Sequence, residues 1–199
     1  GLLERLLEFH LAFGGSAVLL SATLSNATRQ RFADIYGRVS GRVAEAGGCD
    51  EYPLLTTHSA QGSNAIHVPS RETLERSVEA ALVHQTDDVV HRLCRWAAEG
   101  KCCCWIRNTV ADAVEGYRMV GERLPEERVL LFHARYILGH RLERQKHVLD
   151  LFSRGAAPGG RRGKVLVATQ VVEQSLDLDF DEMVCDLAPI DALVQRSGR

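Results

Sequence analysis

Residues 165–181 read "VLVATQVVEQSLDLDFD": four apolar residues, Val165–Ala168, and then Thr169, Gln170, Glu173, Gln174, Ser175, Asp177 and Asp179 within eleven positions. A run as apolar as the first four is that of a strand covered on both faces, the pattern of a central strand in a parallel sheet. Open sheets of this kind bind ligands beyond the carboxyl ends of their strands. A polar cluster that starts there reads either as a ligand edge or as an ordinary turn with surface carboxylates. The neighbouring elements must decide.

Downstream and upstream of this stretch the order is regular. Strand "KCCCWIR", helix 109–120, strand "RVLLF", helix 139–153, strand "KVLVAT", strand "EMVCDL" and a helix from about 190 follow one another. Strands alternating with helices argue for an α/β fold on a parallel sheet. The helices carry the matching period: Val110, Ala113, Val114, Tyr117 and Val120 fall on one stripe, as do Leu138, Leu142, Leu149 and Phe152. Thr86 or Asp87 is placed to cap a helix that ends before Gly100.

Nearer the start, a helix at about 2–12, a strand "SAVLLSA" and a helix at about 26–36 form a separate unit. The glycine-rich "YGRVSGRVAEAGG" after it reads as an interdomain linker, assigned to residues 38–50. "YPLLTT", "NAIHV" and "RSVEAALVH" then show strand-like alternation. The last of these also fits a helix. No internal repeat is present, and the low-complexity "RGAAPGGRRG" reads as a flexible loop or as a phosphate contact through Arg161, Arg162 or Lys164.

Composition bounds the possibilities. The chain has 199 residues, 45% hydrophobic and 25% charged, which suits one or two soluble globular domains with a real core. A formal charge of -2 excludes a generally basic nucleic-acid coat, so a polyanion must meet a local patch. Six cysteines include the consecutive Cys102, Cys103 and Cys104 inside an apolar run, with no CxxC pair for zinc, so they read as reduced core thiols. His133, His140 and His147 recur every seven residues without a carboxylate at ligand spacing, and no metal is assigned. No apolar run approaches 18 residues and no signal peptide is recognisable, which leads to the expectation of a cytoplasmic chain outside the membrane. Opening on Gly1 in mid-pattern and stopping at "LVQRSGR", the sequence is expected to be a piece of a longer chain.

Several short motifs carry chemistry. Ser21 and Thr23 end the "LLSATL" strand as a hydroxyl pair, suited to capping a helix or touching a ligand. Asn108 or Thr109 caps the next helix, whose N-terminus offers free N–H groups to an anion. His133 and Arg135 follow a strand at the same edge where Asn108 and Thr169 emerge. Arg196 and Arg199 lie three positions apart at the chain's end, and guanidinium groups suit the oxygens of a transferring phosphoryl group.

The order "SATL", "RNT", "HARY", "ATQVVEQSLDLD", "QRSGR" resembles the later motifs of superfamily 2 helicases, motors built from two RecA-like lobes. More closely, "VLLSATLSNATRQRFADIYG", "YPLLT", "IRNTVADA" and "ATQVVEQSLDLDFDEMVCDLAPIDALVQRSGR" resemble the CRISPR-associated helicase-nuclease of type I systems. The resemblance implies the C-terminal end of a first RecA-like lobe at 1–37 and a second lobe at 51–199, truncated within the arginine-finger motif. It implies that Ser21, Thr23 and Asp177 serve the nucleotide. Thr169, Asn108, Thr109 and Arg135 would hold a nucleic-acid phosphate, and Gln195, Arg196 and Arg199 would form the arginine-finger motif. ATP with magnesium is the implied cofactor. Single-stranded DNA, a guide-RNA surveillance complex, an upstream helicase lobe and a histidine-aspartate nuclease domain are the implied partners.

The sequence departs from the family by lacking a GxxxxGK[ST] loop and a DEAH-type carboxylate pair, whose functions must then be supplied upstream. This stretch alone is therefore expected to be inactive. Two rivals stand beside this reading: another superfamily 2 motor, and a non-catalytic RecA-like module that binds nucleic acid. The glutamine opening "QRSGR" favours the CRISPR family over the RNA-helicase branch in which histidine commonly holds that place.

Overall fold

A computed structural model describes residues 1–47, 52–69, 77–157, 159–173 and 176–197. The chain divides into two compact units, Gly1–Ser77 and Val78–Arg199.

In the first unit, α1 (Leu2–Ala12) packs on α2 (Asn26–Ser40), and β1 (Leu54–Ser59) pairs antiparallel with β2 (Gly62–His67). Ser25 caps α2 by accepting the Thr28 N–H at 3.2 Å, the bond that Ser and Thr make at a helix start. Ser21 and Thr23 do not cap it; the Thr23 N–H donates to Ser21 Oγ at 3.2 Å in a local turn. The helix runs four residues past its expected end, to Ser40, and stops at Gly41, whose φ of 67° is the left-handed conformation glycine adopts without strain. The segment after it folds back, burying Ala44 and Ala46 against Ala33. Residues 16–22, expected as a strand, are not one, and Val18 and Leu20 are 84% and 92% exposed. A strand is defined by ladder partners, and none among the described residues runs beside this segment.

The second unit is the α/β body. Its helices are α3 (Thr86–Ala98), α4 (Val110–Gly121), α5 (Leu138–Phe152) and α6 (Ile190–Ser197). Its strands β3 (Cys103–Ile106), β4 (Val129–Phe132), β5 (Val165–Ala168) and β6 (Glu182–Cys185) form one parallel sheet in the order β4-β5-β3-β6. The two central strands are buried at every position, as their continuous apolar runs require. Alternation sends Cys103, Trp105, Val165 and Val167 into the core shared with α3 and α4. Cys104, Ile106, Leu166 and Ala168 enter the opposite core with Val148 and Phe152 of α5. Each large aliphatic buried here contributes about 1.5–3 kcal/mol.

Four local expectations are corrected. Helix α3 starts after Gln85, which makes no side-chain cap, so neither Thr86 nor Asp87 is the N-cap. The stripe on α4 is rotated: Val114 is 45% exposed while Gly116 is buried under Trp105, where a Cβ would lie 2.9 Å from the ring. A bulky tryptophan on the sheet thus selects which face of the helix can approach. On α5, Leu138 and Leu142 are exposed and Val148 is buried instead. A 15-residue helix is about 22 Å long and a four-residue strand about 13 Å, so the helix overhangs the sheet it covers. Residues 77–85 form no strand either, which leaves the alternation in "RSVEAALVH" without a ladder among the described residues.

Candidate nucleic-acid interface at the carboxyl edge of the sheet

Because all four strands are parallel, the residues that follow them emerge at one edge. There Arg107, His133, Thr169 and Asp186 stand directly after Ile106, Phe132, Ala168 and Cys185. The ladder continues into this edge: the Thr169 N–H donates to Phe132 O at 3.2 Å, the Arg107 N–H to Ala168 O at 2.8 Å, and the Asp186 N–H to Ile106 O at 2.9 Å. The edge is therefore held by backbone hydrogen bonds before any side chain contributes.

Thr169 is 5% exposed and opens a short 3-10 turn, Gln170–Val172, without capping it by its hydroxyl. Gln170 Nε2 donates to the Asn108 carbonyl at 3.1 Å, joining this turn to the end of β3. Asn108 is held twice more, its N–H donating to Asp186 Oδ2 at 2.9 Å and its Nδ2 to Leu187 O at 2.9 Å. Thr109 is the N-cap of α4, accepting the Asp112 N–H at 3.1 Å and donating to Asp112 Oδ2 at 2.6 Å. Of the two candidates for that cap, Thr109 takes it.

Arg135 is exposed beyond β4, its backbone N–H donating to His133 Nδ1 at 3.2 Å. His133 is nearly buried and stacks on Tyr136 with ring centroids 4.1 Å apart, while the Arg144 guanidinium lies 4.5 Å from the Tyr136 ring centroid. Burial, with Arg144 and Arg135 nearby, holds the His133 pKa below the ordinary histidine value. A neutral ring is thus the acceptor that fixes the Arg135 backbone. Asn108, Thr109, Thr169 and Arg135 are brought to the same edge by the strand ends; the Thr109 hydroxyl is engaged by Asp112 and one N–H of the Asn108 amide by Leu187, while the Arg135 side chain stands exposed.

The polar stretch does not stay at this edge. From Thr169 the chain runs back along the body, and Leu178 bridges Ser153 at the end of α5 while the Asp179 N–H donates to Phe152 O at 2.8 Å. Asp177 points outward between buried Leu176 and Leu178, 3.6 Å from Arg154. Gln174 and Ser175 lie outside the described residues. At the amino edge Arg161 donates to Asp179 at 2.9 Å and Lys164 Nζ to the Glu127 carbonyl at 2.6 Å. These two cations thus brace the body at the edge opposite Thr169.

Arg196 is 2% exposed and lies inside the body, its Nε 2.7 Å from Glu173 Oε1 and its Nη1 donating to the Asp186 carbonyl at 3.1 Å. Burial opposes its charge, yet the Glu173 carboxylate and Cys185 hold its pKa above the ordinary arginine value. Gln195 precedes it on α6, and Arg199 lies outside the described residues. Ser21 and Thr23 belong to the other compact unit.

Three residues of this network carry no assigned role in the sequence. Arg107 and Asp186 form an ion pair at 3.0 Å, with the Arg107 guanidinium 4.5 Å from the Trp105 ring centroid, and Glu173 holds Arg196. A usable signal existed for the first two: opposite charges each directly follow an apolar strand. Among the described residues no group of three His, Cys, Asp or Glu is arranged to hold a metal ion, and no helix is long and apolar enough to cross a membrane.

A family model described as the C-terminal region of the CRISPR-associated nuclease/helicase Cas3 matches residues 99–199. The chain is 34% identical to the CRISPR-associated endonuclease/helicase Cas3 of Escherichia coli (strain K12), over all of this chain and 23% of that protein. Among solved structures it superposes on T. fusca Cas3 with ATP, at a TM-score of 0.81 and 31% identity, covering 100% of this chain and 25% of that one. It also superposes on a chain of a CRISPR RNA-guided surveillance complex in a pre-nicking state, at a TM-score of 0.78 and 31% identity, covering 100% of this chain and 26% of that one. The chain therefore spans about a quarter of the length of the proteins it resembles.

Proposed function

The chain belongs to the C-terminal family of the CRISPR-associated nuclease/helicase Cas3, and from that premise we propose that it is part of an ATP-dependent motor that moves on single-stranded DNA in type I CRISPR defence. In this reading residues 1–37 end a first RecA-like lobe, 38–50 link, and 51–199 build the second lobe. The guide-RNA surveillance complex recruits the motor, and a histidine-aspartate nuclease domain acts with it.

The observation that carries the proposal is the carboxyl edge, where parallel strand ends set Asn108, Thr109, Thr169 and Arg135 in one row. Their donors grip phosphates and leave the bases unread, so binding depends on charge and little on sequence. ATP, bound with magnesium, supplies free energy by phosphoryl transfer to water. The described residues contain no carboxylate cluster that fits magnesium, and its ligands are assigned to the parent's other lobe together with the phosphate cradle. Asp177, Ser21 and Thr23 are assigned to the nucleotide side. Arg199 is assigned as a fixed cation for the transferring phosphoryl group, with Gln195 and Arg196 in the same sequence motif.

The test uses the full-length protein with a single-stranded oligonucleotide. Thr169→Ala should reduce strand affinity and strand-stimulated ATP hydrolysis while leaving the melting temperature within a few degrees. Wild-type affinity should fall with salt at a log-log slope of roughly -0.7 per phosphate contact. If Thr169→Ala left both affinity and stimulated turnover unchanged, the assignment of this edge would be wrong.

A further inference from the structure

We propose that Glu173 is a positioning residue that transmits the state of the carboxyl edge to α6 through its buried ion pair with Arg196. The proposal rests on the reading of that edge as the nucleic-acid contact.

Four observations build it. Arg196 is a charged side chain buried to 2% exposure. It is bound on one side by Glu173 at 2.7 Å and on the other by the Asp186 carbonyl at 3.1 Å. Glu173 ends the short turn that Thr169 begins, and that turn is tied to the end of β3 by Gln170. Asp186 is anchored in turn, its carboxylate accepting from Arg107 Nε at 3.0 Å and from the Asn108 N–H at 2.9 Å.

The arrangement is poorly explained by stability. Taking a guanidinium and a carboxylate out of water costs several kcal/mol per ion, and apolar residues of similar volume often serve as well or better. A fork with two fixed partners does something an apolar plug does not: it ties α6 to the turn after β5 and to the end of β6 at defined distances. Only the turn Gln170–Val172 separates Thr169 from Glu173, so a shift of the edge on phosphate contact moves the carboxylate. Arg196 must follow, because a guanidinium left without its carboxylate in the interior is strongly disfavoured. Helix α6, which carries Arg196, then moves with it. Coupling of this kind needs a contiguous, stiff set of contacts between the two sites, which is what these residues form.

The experiment measures strand-stimulated and strand-free ATP hydrolysis, strand affinity and melting temperature in the full-length protein. Glu173→Gln keeps the shape and removes the charge. Losing a charge-assisted hydrogen bond of about 1.5 kcal/mol should lower the ratio of stimulated to strand-free turnover about tenfold. Strand affinity should stay within about threefold, since a tenfold loss would already be about 1.4 kcal/mol of contact. Glu173→Leu combined with Arg196→Met replaces the pair by apolar volume; it should keep the melting temperature and still lack stimulation. The exposed Arg118–Glu122 pair on α4 provides the control, and Glu122→Gln should change none of the four readings.

A folded double variant with wild-type stimulation would overturn the proposal. So would a Glu173→Gln protein in which melting temperature and both rates fall together, because that is the signature of a purely structural pair. Thr169→Ala, run in parallel, separates the two claims: if it abolishes stimulation while Glu173→Gln does not, the edge stands and the strut falls. If Thr169→Ala is silent, the reading of the edge itself has failed.

Discussion

The two compact units treat apolar side chains in opposite ways. In Val78–Arg199, both faces of a four-strand sheet are covered, and Leu93, Ile106, Phe132, Phe152 and Leu166 are fully buried. In Gly1–Ser77, Leu2, Leu3, Leu6 and Phe9 of α1 and Phe13 just after it are 54% exposed or more, and the buried apolar residues among those described are Leu7, Ala33, Ile35, Ala44 and Ala46. Helices α1 and α4, one from each unit, are equally amphipathic. Periodicity states that a face is apolar; it does not state what lies against it.

The contrast can be broken most forcefully in the second unit. Phe152→Ala, which empties part of the α5 core, should cost about 3–5 kcal/mol in a urea melt. A loss below 1 kcal/mol would mean that this core does not govern the stability of the body. Next comes a matched pair of helix caps. Thr109→Ala on α4 should cost about 1 kcal/mol of global stability, because α4 is packed on the sheet. Ser25→Ala removes the same kind of bond from α2 but should leave the main unfolding transition almost unmoved, appearing instead as faster amide exchange in α2. Equal effects at the two caps would show that the units unfold as one. The smallest effect belongs to Phe9→Ser: at 64% exposure it should change the stability of this chain by no more than about 0.5 kcal/mol.

How legible was this in the sequence? The four strands of the sheet were found because each is a short apolar run bounded by a turn signal, and a strand covered on both faces has no alternation to misread. The convergence of Asn108, Arg135 and Thr169 on one edge followed from parallel topology alone. Residues 16–22 were misread for the complementary reason: Val18, Leu19 and Leu20 have strand chemistry, but a strand is completed by a neighbour's hydrogen bonds. The Glu173–Arg196 contact was out of reach because its partners are 23 positions apart and spacing rules reach only three or four residues along a helix. Arg107 and Asp186 were nearer to hand, since each directly follows a strand, but pairing them requires knowing that β3 and β6 are neighbours. The rotation of α4 depended on Trp105 occupying the space in which Gly116 alone fits.

Three consecutive cysteines, Cys102 just before the central strand β3 and Cys103 and Cys104 opening it, make the chain its own reporter of opening. Cys102, Cys103 and Cys104 are fully buried, and burial pushes the Cys102 and Cys103 thiols up to about 12. Thiolate is the form that reacts with an alkylating reagent, and at neutral pH it amounts to about one molecule in a hundred thousand at such a group. Labelling of these sulfurs therefore waits until β3 has left its place between β5 and β6, so the reaction rate counts whole-body openings. Cys94, half-buried on α3, has a thiol also raised by burial, but it needs a smaller opening to meet the reagent. A single reagent and a mass spectrometer then separate local breathing from global unfolding in the unmodified sequence, with no probe introduced.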